Sequence, residues 1–219
     1  MSKKTKAAAM QRLQKKKQQT YLIIAVVSIL CLIGLGIVLF QSLGNKGNAL
    51  ASSGKGYIAE IKIKDYGTIT VELDADAAPI TVENFVELAE SGFYDGLTFH
   101  RIIEGFMMQG GDPNGNGSGG SANKIKGEFL ANGVNNTLSH TRGAISMARS
   151  NAYDSASSQF FIVHQDSKHL DGSYAVFGYV TSGMDIVDKI CTSAEPTDNN
   201  GTIPKEKQPI IETITIREK

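Results

Sequence analysis

From Tyr57 the chain alternates, with Tyr57, Ala59, Ile61 and Ile63 apolar and Glu60, Lys62 and Lys64 polar. Successive side chains of a strand point to opposite faces, so this period of two predicts a half-buried β-strand. Asp65-Tyr66-Gly67 reads as a turn, and Ile69, Val71 and Leu73 resume the alternation, which predicts a hairpin. After Pro79 the apolar positions shift to helical spacing at Val82, Phe85, Val86, Leu88 and Ala89. A short helix capped by Thr81 and stopped at Gly92 is expected there. Further short apolar runs lie at 99–103, 143–148, 159–163, 174–180 and 210–216, and a second helical pattern at Met184, Ile186, Val187 and Ile190 follows Gly183. Many short strands between turn-rich loops, with two helices, point to an all-β barrel or sandwich.

The N-terminal quarter carries a different pattern. Tyr21 to Phe40 is a run of twenty residues without a charge, and at about 1.5 Å rise per residue such a helix crosses a hydrocarbon core of roughly 30 Å. Residues 1–20 before it carry seven Lys and Arg and no acid. The expected organisation is a basic cytoplasmic head (1–20), a transmembrane signal anchor (21–40), a Gly-, Ser- and Asn-rich flexible linker (41–56) and one globular domain (57–219). The positive-inside bias places that domain extracytoplasmic, on a single-pass protein of the cell membrane. The alternative is a cleaved signal peptide, for which Ala49-Leu50-Ala51 supplies a small-x-small site, although apolar regions of such peptides usually run roughly 7 to 15 residues.

Charge and cysteine content narrow the picture. The chain has 22 basic and 22 acidic residues, so removing the seven of the head leaves 15 basic against 22 acidic. Its two cysteines, Cys31 and Cys191, fall in the span and in the outer domain, so no disulfide is available within the domain. Cys191 is expected to be a small buried apolar side chain.

The densest stretch is Phe99-His100-Arg101-Ile102-Ile103-Glu104-Gly105-Phe106-Met107-Met108-Gln109-Gly110-Gly111-Asp112. It resembles the central signature of the cyclophilins, the peptidyl-prolyl cis/trans isomerases in which Phe-His-Arg-Ile-Ile precedes Gly-Phe-Met and Gln-Gly-Gly-Asp. Two further blocks, Gly143-Ala144-Ile145-Ser146-Met147-Ala148 with Ser158-Gln159-Phe160-Phe161-Ile162, and Leu170-Asp171-Gly172 with Val176-Phe177-Gly178, are similar to the rest of that family's site and stand in its order. The resemblance spans about residues 57 to 217. It implies a closed eight-stranded antiparallel barrel capped by two short helices, with the active groove on its outer surface. It also implies that Arg101, Gln109 and Phe106 are catalytic, and that Met107, Met147, Ala148, Arg149, Phe161, Leu170, His169 and Tyr174 contact substrate. Proline-containing polypeptides would be the partners, and no cofactor is implied.

Those residue types suit the reaction. Rotation about a peptide bond meets a barrier of about 18–20 kcal/mol because the nitrogen lone pair is delocalised into the carbonyl. As the bond twists, the nitrogen becomes pyramidal and recovers its lone pair, so a donor aimed at it binds the transition state better than either ground state. Arg101 offers five N–H groups on a permanently charged fork, and an apolar pocket holds the proline ring. Three departures from the best-known members are visible: His169 stands where many have tryptophan, Tyr174 where many have histidine, and Arg149-Ser150 where Asn-Ala is common. The first two are similar to bacterial-type relatives. Loss of the indole N–H implies weak cyclosporin binding, and the third leaves substrate preference open.

Other chemistries are less well served. His100, His140, His164 and His169 show no metal-ligand spacing. The glycine-rich stretch 110–120 lacks a P-loop ending, and Ser146, His140 and Asp154 lack the Gly-x-Ser-x-Gly elbow of a hydrolase. The basic head reads as a topology signal rather than a nucleic-acid contact. A proline-binding scaffold or a holdase remains as a rival, but the former would not need Arg101.

Overall fold

A computed structural model of the protein describes residues 56–219; the head, the predicted span and most of the linker lie outside them. No helix among the described residues is long and apolar enough to cross a membrane. Eight strands form one antiparallel sheet: β1 (Tyr57–Ile63), β2 (Gly67–Leu73), β3 (Thr98–Ile103), β4 (Met107–Asp112), β5 (Ala144–Met147), β6 (Phe160–Val163), β7 (Val176–Ser182) and β8 (Ile211–Glu218). Helix α1 (Pro79–Glu90) follows β2, and α2 (Met184–Ser193) follows β7.

The strand order is β3-β4-β6-β5-β7-β2-β1-β8. The sheet curls until its two edges approach, but β3 and β8 do not share a full ladder. They meet at the Thr98–Ile210 bridge and through backbone bonds such as Phe99 N–H to Pro209 O at 2.9 Å and Ile211 N–H to Leu97 O at 2.8 Å. The architecture is therefore a curled half-barrel with a short seam.

The predicted hairpin forms with Tyr57 opposite Leu73 and Ile63 opposite Gly67. Ala59, Ile61, Ile69 and Val71 are fully buried, as the alternation requires. Inside the curl, Phe85 of α1 packs against Tyr94, Phe160 and Phe177 at ring separations of 5.2–5.4 Å. Tyr94 donates its hydroxyl to Ser158 O at 3.1 Å, and burial pushes its pKa far up.

Helix α1 starts differently from the sequence expectation. Pro79 occupies the first turn, Ala78 is the N-cap without a side-chain bond, and Thr81 lies inside the helix, fully buried. Glu128, distant in sequence and 2% exposed, takes the capping role. Its carboxylate accepts from Ile80 N–H at 3.1 Å, Thr81 N–H at 2.7 Å and the Thr81 hydroxyl at 2.7 Å. A carboxylate at a helix N-terminus satisfies the orphan donors and complements the dipole. The C-terminal stop is as expected, with Gly92 at φ +73° just beyond the cap residue Ser91.

Helix α2 begins after Gly183, whose φ is +90°. A Cβ there would stand 2.7 Å from Thr68 O and 2.9 Å from the Ile69 Cα, so only glycine lets β7 turn into α2 this close to β2. Cys191, on the inner face of α2, is 1% exposed and its thiol is pushed up to about 12 by burial, which fits a packing role.

Candidate active site

The sheet has apolar side chains on both faces where β4, β6, β5 and β7 adjoin. On β6, Phe160 and Ile162 enter the main core, whereas Phe161 and Val163 point outward with Met107, Ala144 and Val176 into a second cluster. Phe106, Leu170, Ala148 and Tyr174 pack against that second cluster. Above it lies a groove of about 160 Å³ bounded by Arg101, Phe106, Met107, Gln109, Ala148, Arg149, Phe161, Leu170 and Tyr174. Strand periodicity thus builds an apolar floor on the outside of the sheet.

Arg101 and Gln109 are cross-strand partners on β3 and β4. The arginine donates from Nη1 to Gln109 Oε1 at 3.3 Å and from Nε to Asn200 O at 2.7 Å. Its guanidinium lies 5.9 Å from the Phe106 ring centre. Gln109 in turn donates to Gln159 Oε1 at 2.9 Å, and Gln159 donates to Gly117 O at 3.1 Å and Gly119 O at 2.7 Å. The fork is held by an amide and a carbonyl, with no carboxylate paired to it among the described residues. Burial pulls its pKa down while Tyr174 and Asp198 pull it up, and a guanidinium remains charged under any ordinary condition.

Asn200 and Gln159 are the partners that sequence reading did not assign. Asn200 sits in a turn organised by Asp198, which accepts from the N–H groups of Asn200 and Thr202, both at 3.0 Å. The Arg101–Thr202 bridge, 101 residues apart in sequence, and the backbone bonds Ile102 N–H to Gly201 O at 2.8 Å and Ile203 N–H to His100 O at 3.0 Å bring that turn to the groove. Gln159 lies inside the Ser158–Ile162 motif, and its position depends on the 110–120 loop. That loop folds around Asp112, which accepts from Asn114, Asn116 and Gly117 N–H at 2.8, 3.0 and 2.6 Å. Burial raises the Asp112 pKa, but these bonds more than offset it and the net shift is downward.

Two expected substrate contacts fall elsewhere. Met147 is 2% exposed and belongs to the main core, because the alternation along β5 turns Ile145 and Met147 inward and Ala144 outward. His169 is exposed at the rim, its ring 5.7 Å from that of Phe106, and it does not bound the groove.

Behind Phe161 a polar chain runs from the buried Ser146 and His140 out to the exposed Asp171. His140 Nδ1–H donates to Asp171 Oδ1 at 2.8 Å, and Ser146 Oγ lies 3.1 Å from His140 Nε2. The imidazole stacks on Phe161 at 5.9 Å with 13° between planes and meets Tyr174 edge-on at 6.4 Å. Asp154 has no part in this chain; it accepts from Gly127 N–H and Asn132. Ser146 and His140 are both fully buried, so the serine has no access to a substrate carbonyl. Among the described residues no group of three or more His, Cys, Asp or Glu side chains is placed to hold a metal ion.

An eight-stranded curled sheet, two helices and a charged fork over an outer apolar groove define a family. Residues 58–217 match the cyclophilin type peptidyl-prolyl cis-trans isomerase/CLD family, and the chain belongs to it. It is 46% identical over 144 residues to peptidyl-prolyl cis-trans isomerase B of Bacillus subtilis, covering 66% of this chain and 92% of that one. It is 48% identical over 126 residues to a peptidyl-prolyl cis-trans isomerase of Helicobacter pylori, covering 57% and 74%. A crystal structure of a cyclophilin type peptidyl-prolyl cis-trans isomerase of Cryptosporidium parvum, in the presence of the dipeptide Ala-Pro, is similar with a TM-score of 0.64 and 30% identity. It covers 73% of this chain and 98% of that one. The protein is a peptidyl-prolyl cis/trans isomerase.

Proposed function

We propose that the groove receives the proline of an X-Pro segment and that Arg101 drives isomerisation by donating to the imide nitrogen as the bond twists. The observation that carries this reading is the Arg101–Gln109 pair, fixed across two strands at the lip of an apolar floor made by Phe106, Met107, Phe161 and Leu170. Gln109 and Asn200 O hold two edges of the guanidinium, and Nη2 is free of protein hydrogen bonds among the described residues. The floor grips the pyrrolidine ring while the acyl side of the bond rotates. No proton is transferred and no cofactor is needed. The Ala-Pro dipeptide used with the Cryptosporidium relative supports proline-containing polypeptides as substrates.

The enzyme is of bacterial type, anchored through residues 21–40, and assists the folding of exported or surface proteins. His169 at the rim in place of an indole makes cyclosporin a weak ligand.

The test is proline isomerisation of a short peptide by the full chain in detergent. Arg101→Ala is expected to lower kcat/KM at least about tenfold, which corresponds to roughly 1.4 kcal/mol of lost transition-state stabilisation. Turnover at background in the parent, with peptide binding retained, would favour a proline-binding scaffold instead.

A further inference from the structure

Phe106, a wall of the groove, stands at the end of a tight turn between β3 and β4. The turn is closed by Phe106 N–H to Ile103 O at 3.0 Å and passes through Gly105 at φ +77°. Two more of its backbone groups are held by one residue from another strand. His164, directly after β6 and 4% exposed, accepts from Gly105 N–H through Nδ1 at 2.9 Å and donates its own N–H to Phe106 O at 2.9 Å.

One tautomer of the ring serves this role. An Nδ1 that accepts from an amide carries no proton, so the single ring hydrogen of the neutral imidazole is on Nε2. Nε2 stands 3.2 Å from Asp188 Oδ1 of α2. Arg142, from the segment before β5, grips the same carboxylate with Nη1 and Nη2 at 2.7 and 2.8 Å and donates from Nη1 to His164 O at 2.9 Å. These bonds to Arg142 hold the Asp188 carboxyl below its usual range, so it stays an anion facing the Nε2 hydrogen. Cys191 of α2, Glu104 in the turn and Asp166, which accepts from Arg142 N–H at 2.8 Å, lie in the same neighbourhood.

We propose that His164 is a positioning residue for the isomerase reaction: as a neutral Nδ1 acceptor it fixes the 104–106 turn, and with it the aromatic wall against which the proline ring binds. The inference rests on Phe106 walling the proline site. A proton added to Nδ1 replaces the acceptor by a donor facing the Gly105 donor, so acid undoes the bond that the neutral ring makes. The wall touches the proline ring in the planar and the twisted state alike, so loosening it raises KM more than it lowers kcat.

The experiment follows kcat and KM of the full chain in detergent for a short X-Pro peptide from pH 8 to pH 5, in the parent and in variants. Phe106→Ala is the reference for loss of the wall. His164→Leu is expected to raise KM at pH 8 about three- to tenfold, the range of one net hydrogen bond, with a smaller change in kcat. His164→Asn sets an amide oxygen where Nδ1 stands, so its KM should lie within about twofold of the parent at pH 8. Unlike the parent's, it should not climb as the pH falls. His100, His140 and His169 are present in both chains, so the difference between the two profiles belongs to His164. In the parent at pH 8, the ring-nitrogen NMR shifts of His164 should be those of the Nε2–H tautomer, and they decide the case if the leucine variant does not fold. An Nδ1–H tautomer, a parent-like KM in His164→Leu, or an asparagine profile that follows the parent's would overturn the proposal. An unchanged KM in Phe106→Ala would show that proline binds elsewhere, taking down the groove reading first and this inference with it.

Discussion

His140 shows how one side chain ties stability to the shape of the groove. It is fully buried, stacks on Phe161, and links Asp171 to Ser146. Burial lowers its pKa, with Asp171 pulling the other way, and His100 is likewise lowered by burial. The groups facing His140 are Asp171, which favours the cation, and His169, which opposes it. For a base whose folded pKa lies below its unfolded value of about 6.5, the unfolded state binds more protons once the pH falls into that window. Stability is therefore full above pH 6.5 and is lost as the pH falls from there through the folded values. Thermal unfolding from pH 8 to pH 5 should show a falling Tm, and His140→Phe, which keeps the stacked ring, should flatten that slope. The same variant removes the ring partner of the buried Ser146 hydroxyl, while Asp171 keeps the Ser139 hydroxyl and the residue-140 N–H, and should cost about 1–3 kcal/mol at pH 8. A slope unchanged in the variant would assign the pH dependence to other groups.

Among the elements, α1 depends most on a residue that sequence pattern could not reveal. The 3.6-residue spacing of Val82, Phe85, Val86 and Ala89 was enough to place the helix and its buried face, and Gly92 enough to end it. The start was not legible, because Thr81 looks like a local cap whereas the donors of the first turn are met by Glu128, 47 residues further on. No local signal carries a contact of that range. Glu128→Ala leaves Ile80 N–H, Thr81 N–H and the Thr81 hydroxyl unpartnered, two of them in a buried setting. Loss of a cap together with buried unsatisfied donors should cost about 2–4 kcal/mol, read as a lower denaturation midpoint at constant m-value. Thr81→Ala removes only one of those bonds and should cost less; equal losses would place the cap on the threonine after all. Strand β4 was not legible as a strand, although it carries the signature motif. Its glycines, Gly110 and Gly111, give no alternation of apolar and polar positions to read.

At the scale of the whole chain, the site divides into a part written in short motifs and a part made by folding. Arg101, Phe106, Met107, Gln109, Phe161 and Leu170 were readable because motifs keep their order, and the curl of the sheet gathers them around one groove. Asn200 and Gln159 reach the site through the bridge at Thr202 and the loop around Asp112, contacts that no short motif spells out. The clients, in turn, depend on where the folded domain is held. If residues 21–40 anchor the chain as proposed, the seven cations before that uncharged run of twenty residues set its orientation, since Lys and Arg near a span stay on the cytoplasmic side. The acidic balance of the remainder gives no opposing bias, because acidic residues contribute little to that choice. Protease added to intact cells should therefore cut within residues 41–56 and release the compact domain, while a tag fused at the N-terminus stays protected. Cells in which the domain resists until they are lysed would put the isomerase in the cytoplasm. Its substrates would then be chains before export rather than after it, and the anchor would serve to hold the enzyme near the site of translocation from the inner side.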